Sequence, residues 1–244
     1  MARAEHPPSQ CPWHVLKPEN ILGAVETMTP RTLITCATEM RNQHDNWNHR
    51  CRQHRTAIAK HLASAGIPAS IANNRGPGSL SSVVQKLGAG ITAAEMKVAA
   101  KADIVFLAVP WAAYEDAVAG LAPWGGRIVI DAMNAASIGP DGLRPFDLGG
   151  RASSQIVAER LTGARVVKAF NTLPAAALAS DPKADGGRRV LFVSGDDVSA
   201  RQEVAHLIDR LGFVAIDLGD FEMGRRLQQF PGGPLAGINM VQFP

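Results

Sequence analysis

With 244 residues, 46% of them hydrophobic, and a formal net charge of +3, the chain has the make-up of an ordinary globular protein with room for one large α/β domain or two small ones. The charge is modest and the basic residues after position 60 are mostly interspersed with acids, which argues against a nucleic-acid partner; no apolar run reaches membrane-spanning length. All three cysteines, Cys11, Cys36 and Cys51, lie early, so the rest of the chain has no disulfide framework, and a reducing, cytoplasmic setting is expected.

Residues 1–55 differ from the rest of the chain. They hold five of the seven histidines (His6, His14, His44, His49 and His54) and every cysteine, with no sustained strand or helix periodicity. The spacings match no compact zinc pattern, so no metal site is expected. Residues 1–18 lack the apolar core of a signal peptide. The whole segment reads as a disordered or non-native leader. Codons sharpen that reading. Trp47 has only the codon TGG, so a frame moved by one base must place a glycine there. Carried through residues 46–55, the moved frame can spell Ile-Gly-Ile-Ile-Gly-Ala-Gly-Asn-Ile-Gly. That is a buried strand followed by a glycine-rich phosphate loop. The literal residues, Asn48-His49-Arg50-Cys51-Arg52-Gln53-His54-Arg55, contain no glycine. The expectation is that residues before Thr56 are read out of frame, leaving the first strand and the glycine loop doubtful.

From Thr56 the chain becomes regular. Residues 56–66 predict a helix with Ile58, Leu62 and Ala65 on one face, closed by Gly66; His61 is expected on its surface. Residues 67–72 predict a short strand ending in Asn73-Asn74-Arg75-Gly76-Pro77. In a nucleotide-binding α/β fold this turn meets the adenosine ribose. It carries no acid to accept from a 2′-hydroxyl. Arg75 offers a fork of donors suited to a 2′-phosphate, with Asn74 and Ser79 able to add hydrogen bonds; a surface arginine is the other reading. Helices are predicted over 79–87 and 92–100.

Residues 102–109 form a nearly continuous apolar run, as in a central parallel strand covered on both faces. Pro110 stops it, which places Val109, Pro110 and Trp111 near the nicotinamide end of a bound dinucleotide, with Trp111 equally suited to the core of the next helix. Residues 126–132 and 165–170 are further strands. They exit through Asn134 and through Asn171-Thr172, polar residues beside the expected cleft. Lys168, interior to its strand, either orients an anionic acceptor or snorkels to an edge. Strands over 189–193 and 213–217 and helices over 153–161 and 199–211 complete the alternation. The pattern predicts a single α/β domain over 56–220, built on a doubly wound, mostly parallel sheet. Residues 221–244 then form a tail that closes the cleft or makes a homodimer contact.

In order, Ala72-Asn73-Asn74-Arg75-Gly76-Pro77, Leu107-Ala108-Val109-Pro110-Trp111, Asp131-Ala132-Met133-Asn134 and Val167-Lys168-Ala169-Phe170-Asn171-Thr172 resemble the deazaflavin-coenzyme-dependent NADP oxidoreductases. Residues 186–197 match as well, and the resemblance covers about 56–243. It implies a Rossmann-like fold, NADP(H) as cofactor and hydride exchange with a deazaflavin coenzyme as small-molecule redox substrate. By position, Arg75 with Asn74 and Ser79 would hold the 2′-phosphate. Asn74 stands where the family has a serine, and still donates. Val109, Pro110 and Trp111 would line the nicotinamide; Asn134 and Ala169 to Thr172 would lie by the second substrate. Such chemistry is carried by the cofactors, so no catalytic side chain is expected. The other readings are an NADPH-dependent imine or carbonyl reductase, for which Thr172 or Lys168 would have to supply the proton, and a nucleotide-binding or inactive protein without a competent pyrophosphate loop.

Overall fold

Ile-Val-Phe-Leu at 104–107 and Ile-Val-Ile-Asp at 128–131 are buried at every position. Strands buried on both faces belong at the centre of a parallel sheet between two helix layers. The computed structural model describes residues 32–35, 45–121, 123–139 and 141–244, with 32–35 and 45–48 by backbone alone. Its strands are β1 Thr32–Thr35, β2 Ala69–Ala72, β3 Ile91–Ala93, β4 Ile104–Leu107, β5 Ile128–Asp131, β6 Ala136–Gly139, β7 Gly142–Pro145, β8 Arg165–Ala169, β9 Lys183–Ala184, β10 Gly187–Ser194, β11 Val214–Asp217 and β12 Val241–Gln242. Its helices are α1 Asp45–Ser64, α2 Ser81–Leu87, α3 Met96–Ala99, α4 Tyr114–Val118, α5 Ser153–Arg160, α6 Ala175–Ala179, α7 Val198–Arg210 and α8 Phe221–Leu227.

The main sheet runs β11-β10-β8-β5-β4-β1-β2-β3, with β6 and β7 as a separate hairpin. From β8 to β3 every pairing is parallel; β10 is antiparallel to β8, and β11 runs parallel to β10. The alternation of side chains divides the core in two. Phe106, Ile128, Ile130 and Val167 join α1 and α7 in one apolar cluster. Val105, Leu107, Val129 and Val166 join Trp111, Tyr114, Trp124 and Val157 in the other. Each such side chain contributes about 1.5–3 kcal/mol of burial. The fold is the α/β, mostly parallel, doubly wound sheet that the sequence predicts.

Four local expectations change. The slot between β2 and β4, left without a strand by the sequence pattern, is filled by Thr32–Thr35, whose backbone pairs with both neighbours. An empty slot would leave two rows of buried backbone groups without partners, and an extended segment satisfies them. Asn48 to Arg55 form no loop: they are part of α1, which begins at Asp45 and is closed by Gly66 at φ 66°. Those residues include no glycine or proline to stop a helix. The remainder of the expected leader, residues 1–31 and 36–44, lies outside the described residues. Thr92 and Ala93 belong to β3 rather than a helix, the Thr92 hydroxyl pairing with that of Ser70 at 3.0 Å. His61 is buried, not on the surface; its ring bonds the Leu178 carbonyl at 2.6 Å and packs edge-on against Phe213.

The tail makes contacts with its own domain. After α8, Gly237 donates its backbone N–H to the Thr172 carbonyl at 2.8 Å, and β12 pairs antiparallel with the start of β10. Among the described residues no helix is long and apolar enough to cross a membrane.

Candidate functional site

Parallel strands present their carboxyl ends, with unpaired backbone and the loops that leave them, at one edge of the sheet. At that edge lies a cleft of about 630 Å³, within the usual range for a small-molecule site. Its floor comes from Ala108 and Val109 after β4, Ala132, Met133 and Asn134 after β5, and Asn171 and Thr172 after β8. One wall is the stretch from Leu173 to Ala176 entering α6. Another is the first part of α1, through Arg50, Cys51, Gln53 and His54. The β6–β7 hairpin adds Ile138 and Leu143, and the tail adds Phe230 and Gly237.

The two polar exits expected from the sequence meet. Asn134 donates Nδ2–H to the Asn171 carbonyl at 3.1 Å, and Asn171 donates Nδ2–H to Asn134 Oδ1 at 3.1 Å. Asn171 Nδ2 also donates to the Gln228 carbonyl at 2.9 Å, which fixes the orientation of its amide. Its Oδ1 is buried without a partner among the described residues. Phe170, just before it, holds a left-handed backbone at φ 63°, costly for a side chain of its size and characteristic of functional turns. Its carbonyl accepts a hydrogen bond from His54 Nε2.

Burial holds the His54 imidazole below its ordinary value of 6.5, opposed by the Phe170 carbonyl. His61 is held low in the same way, burial acting first and the Leu178 carbonyl against it. Both folded values lie below the unfolded one. The stability these neutral rings contribute is therefore fully present above pH 6.5 and is lost as pH falls through the folded values. The thermal midpoint should drop between about pH 7.5 and 5.5, at no more than about 1.4 kcal/mol per pH unit for each ring. His61→Gln, which keeps a donor for Leu178, should flatten the slope; an unchanged slope would remove His61 from the account.

At the other end of the edge, after β2, Asn74, Arg75 and Ser79 are exposed on one turn. Asn73, which carries no signal of its own in the sequence, is buried and shapes that turn. Its Oδ1 accepts from the Arg75 backbone N–H at 3.0 Å, and its Nδ2 donates to Ser79 Oγ at 2.8 Å. Ser79 therefore braces the turn as well as facing solvent, its hydroxyl also reaching the Gly76 carbonyl at 2.8 Å.

The cleft brings together Val109, Asn134, Asn171 and Thr172. Pro110 and Trp111 are buried beside it; Trp111 sits in the second apolar cluster, its ring centre 4.8 Å from that of Tyr114. Ala169 is wholly buried in the first cluster. Lys168 does not snorkel: it is 3% exposed and paired with Asp131 at 3.1 Å. The sequence pattern misses the hairpin wall, which carries no local signal, and Ala132-Met133, whose place just past a strand end is a usable one; Phe230 and Gly237 of the tail do line the cleft.

A model of the family described as NADP oxidoreductase, coenzyme F420-dependent, matches residues 54–135. A hypothetical protein from Sinorhizobium meliloti, SMa0349, has a crystal structure that superposes with a TM-score of 0.76 at 45% identity, covering 87% of this chain and 96% of that one. A candidate F420-dependent NADP-reductase from Arthrobacter sp. FB24 gives a TM-score of 0.62 at 26% identity, covering 79% and 86%. The metalloreductase STEAP3 of Rattus norvegicus is 27% identical over 129 residues, 53% of this chain; the chain spans only 25% of that relative's length.

Proposed function

Because the chain belongs to the coenzyme F420-dependent NADP oxidoreductase family, we propose that it holds NADP(H) along the carboxyl edge of its sheet and exchanges a hydride with a deazaflavin-type acceptor in the cleft. The observation that carries this reading is the pairing, on one edge, of a cationic turn at Arg75 with an apolar cleft floored by Val109 and Met133.

The residues fit the two ends of the cofactor. The turn after β2 has no carboxylate, and Asn73 holds Asn74, Arg75 and Ser79 on one exposed loop, as a 2′-phosphate needs. In the cleft, the orphaned acceptor of Asn171 suits a carboxamide N–H, and the apolar floor suits a flat ring. The middle lacks glycines: α1 presents Arg50, Gln53 and His54 where family members place a glycine loop.

Bound NADP(H) supplies the hydride itself. What the chain supplies is alignment and dryness. Asn134 and Asn171 lock their two loops to each other, so the floor is rigid before a ligand arrives. Val109, Met133 and Phe230 exclude water from the reacting carbons. No side chain is assigned a proton, because hydride exchange between two rings needs none at the reacting atoms.

Arg75→Ala tests the cofactor. Loss of a charge-assisted contact worth about 1.5–3 kcal/mol should weaken NADPH roughly 10- to 100-fold and leave NADH unchanged. Equal weakening of both, or of neither, would remove Arg75 from the site. Turnover with a deazaflavin acceptor, followed by loss of its absorbance, tests the second substrate.

A further inference from the structure

A lysine inside a parallel strand must be paired, since an isolated ammonium is too costly to bury. Lys168 uses all three of its donors: Asp131 Oδ2 at 3.1 Å, the Met133 carbonyl at 2.6 Å and Ser153 Oγ at 3.3 Å. Asp131 is fully buried and accepts from the Met133 backbone N–H at 3.0 Å and from Ser154 Oγ at 2.7 Å. Both backbone polar groups of Met133 are thus claimed by one ion pair. Neither partner of that pair lines the cleft, but the turn it grips does, through Ala132, Met133 and Asn134.

The same lysine belongs to the opposite side of the cleft by its backbone. Its strand runs on into Phe170, Asn171 and Thr172, and its carbonyl accepts from Gln228 Nε2 at 3.2 Å. The loops after β5 and β8 are therefore tied twice. The Asn134–Asn171 amides join them at the cleft, and Lys168 joins them beneath it.

We propose that Lys168 is a positioning residue: its ammonium fixes the Asp131–Asn134 turn against strand β8 and so sets the wall on which the nicotinamide end of the cofactor is placed. The inference rests on the NADP(H) reading of the cleft, and it assigns Lys168 no contact with ligand and no proton transfer.

The test compares two ligands in the full chain: NADPH, which reaches the cleft, and 2′,5′-ADP, which engages only the turn after β2. Lys168→Met keeps length and removes the donors. It should weaken NADPH by about tenfold while 2′,5′-ADP stays within about twofold, and amide exchange over residues 132–134 should quicken by about tenfold. Asp131→Asn/Lys168→Met leaves no buried charge unpaired, so it covers the case in which the single variant does not fold; it should show the same ratio. Lys168→Arg, which restores donors, should recover part of it. A parallel loss of both ligands, or an unchanged ratio with unchanged exchange, overturns the proposal. If the parent chain binds neither ligand the cofactor reading fails, and exchange over residues 132–134 then decides the positioning role alone.

Discussion

A chain that begins at residue 45 and carries Ile-Gly-Ile-Ile-Gly-Ala-Gly-Asn-Ile-Gly in place of residues 46–55 will bind NADPH about 100-fold or more tightly than the chain as it stands. The argument is about backbone amides. A pyrophosphate is held by N–H groups at a helix start, and only glycine lets the backbone come close enough. Two charge-assisted bonds at about 1.5–3 kcal/mol each account for that factor. In the present chain α1 starts early, and Arg50, Gln53 and His54 project from it into the cleft. The Arg50 guanidinium attracts phosphate, but the bulk of the three side chains keeps the amides away. Removing residues 1–44 matters because the slot between β2 and β4 accepts one strand, and Thr32–Thr35 already pairs there. The family match begins at residue 54, beside the point where the moved frame rejoins the literal one. Titration of both proteins by nicotinamide fluorescence decides it. Comparable affinities would make the arginine-bearing helix a working substitute for the loop. The gene offers a second check: an intact frame across residues 46–55, repeated in related genes, would sink the frame reading.

The legible parts of this fold are those whose signal is local. Apolar runs announce β4 and β5, and the Val166-Val167 pair with its flanks announces β8, so their burial can be read from the runs themselves. Gly66 announces the end of α1, and its positive φ is the reason. Asn134 and Asn171 stand out because polar residues past a strand end must find partners; that the partner is each other depends on two loops 37 residues apart, which no local pattern encodes. His61 misleads for the same reason. Its acceptor, the Leu178 carbonyl, arrives from a helix far along the chain and makes a buried histidine tolerable. Thr32–Thr35 is the extreme case. Three of its four residues are β-branched and suit a strand, but so short a run does not say which slot it fills; its pairing with both β2 and β4 does.

Asp131→Ala should be the most damaging single change to stability, costing about 3–5 kcal/mol, because it leaves the Lys168 ammonium buried without its counter-ion. It also takes the acceptor from the Met133 N–H and from the Ser154 hydroxyl, both otherwise buried. For a domain of this size that lowers the thermal midpoint by roughly 10 °C or more. The double variant Asp131→Ala/Lys168→Met should cost less than Asp131→Ala alone, since the expensive species is the lone charge and not the missing bridge. A surface pair gives the contrast. Arg144 and Asp141 are bonded too, but their side chains are 58% and 79% exposed, so Asp141→Ala should cost under about 1 kcal/mol. Urea unfolding of the four proteins measures all of this. An Asp131→Ala loss no larger than that of Asp141→Ala would mean that Lys168 finds water or another acceptor when its carboxylate is gone, and the turn beneath the cleft would then owe its shape to the Asn134–Asn171 amides alone.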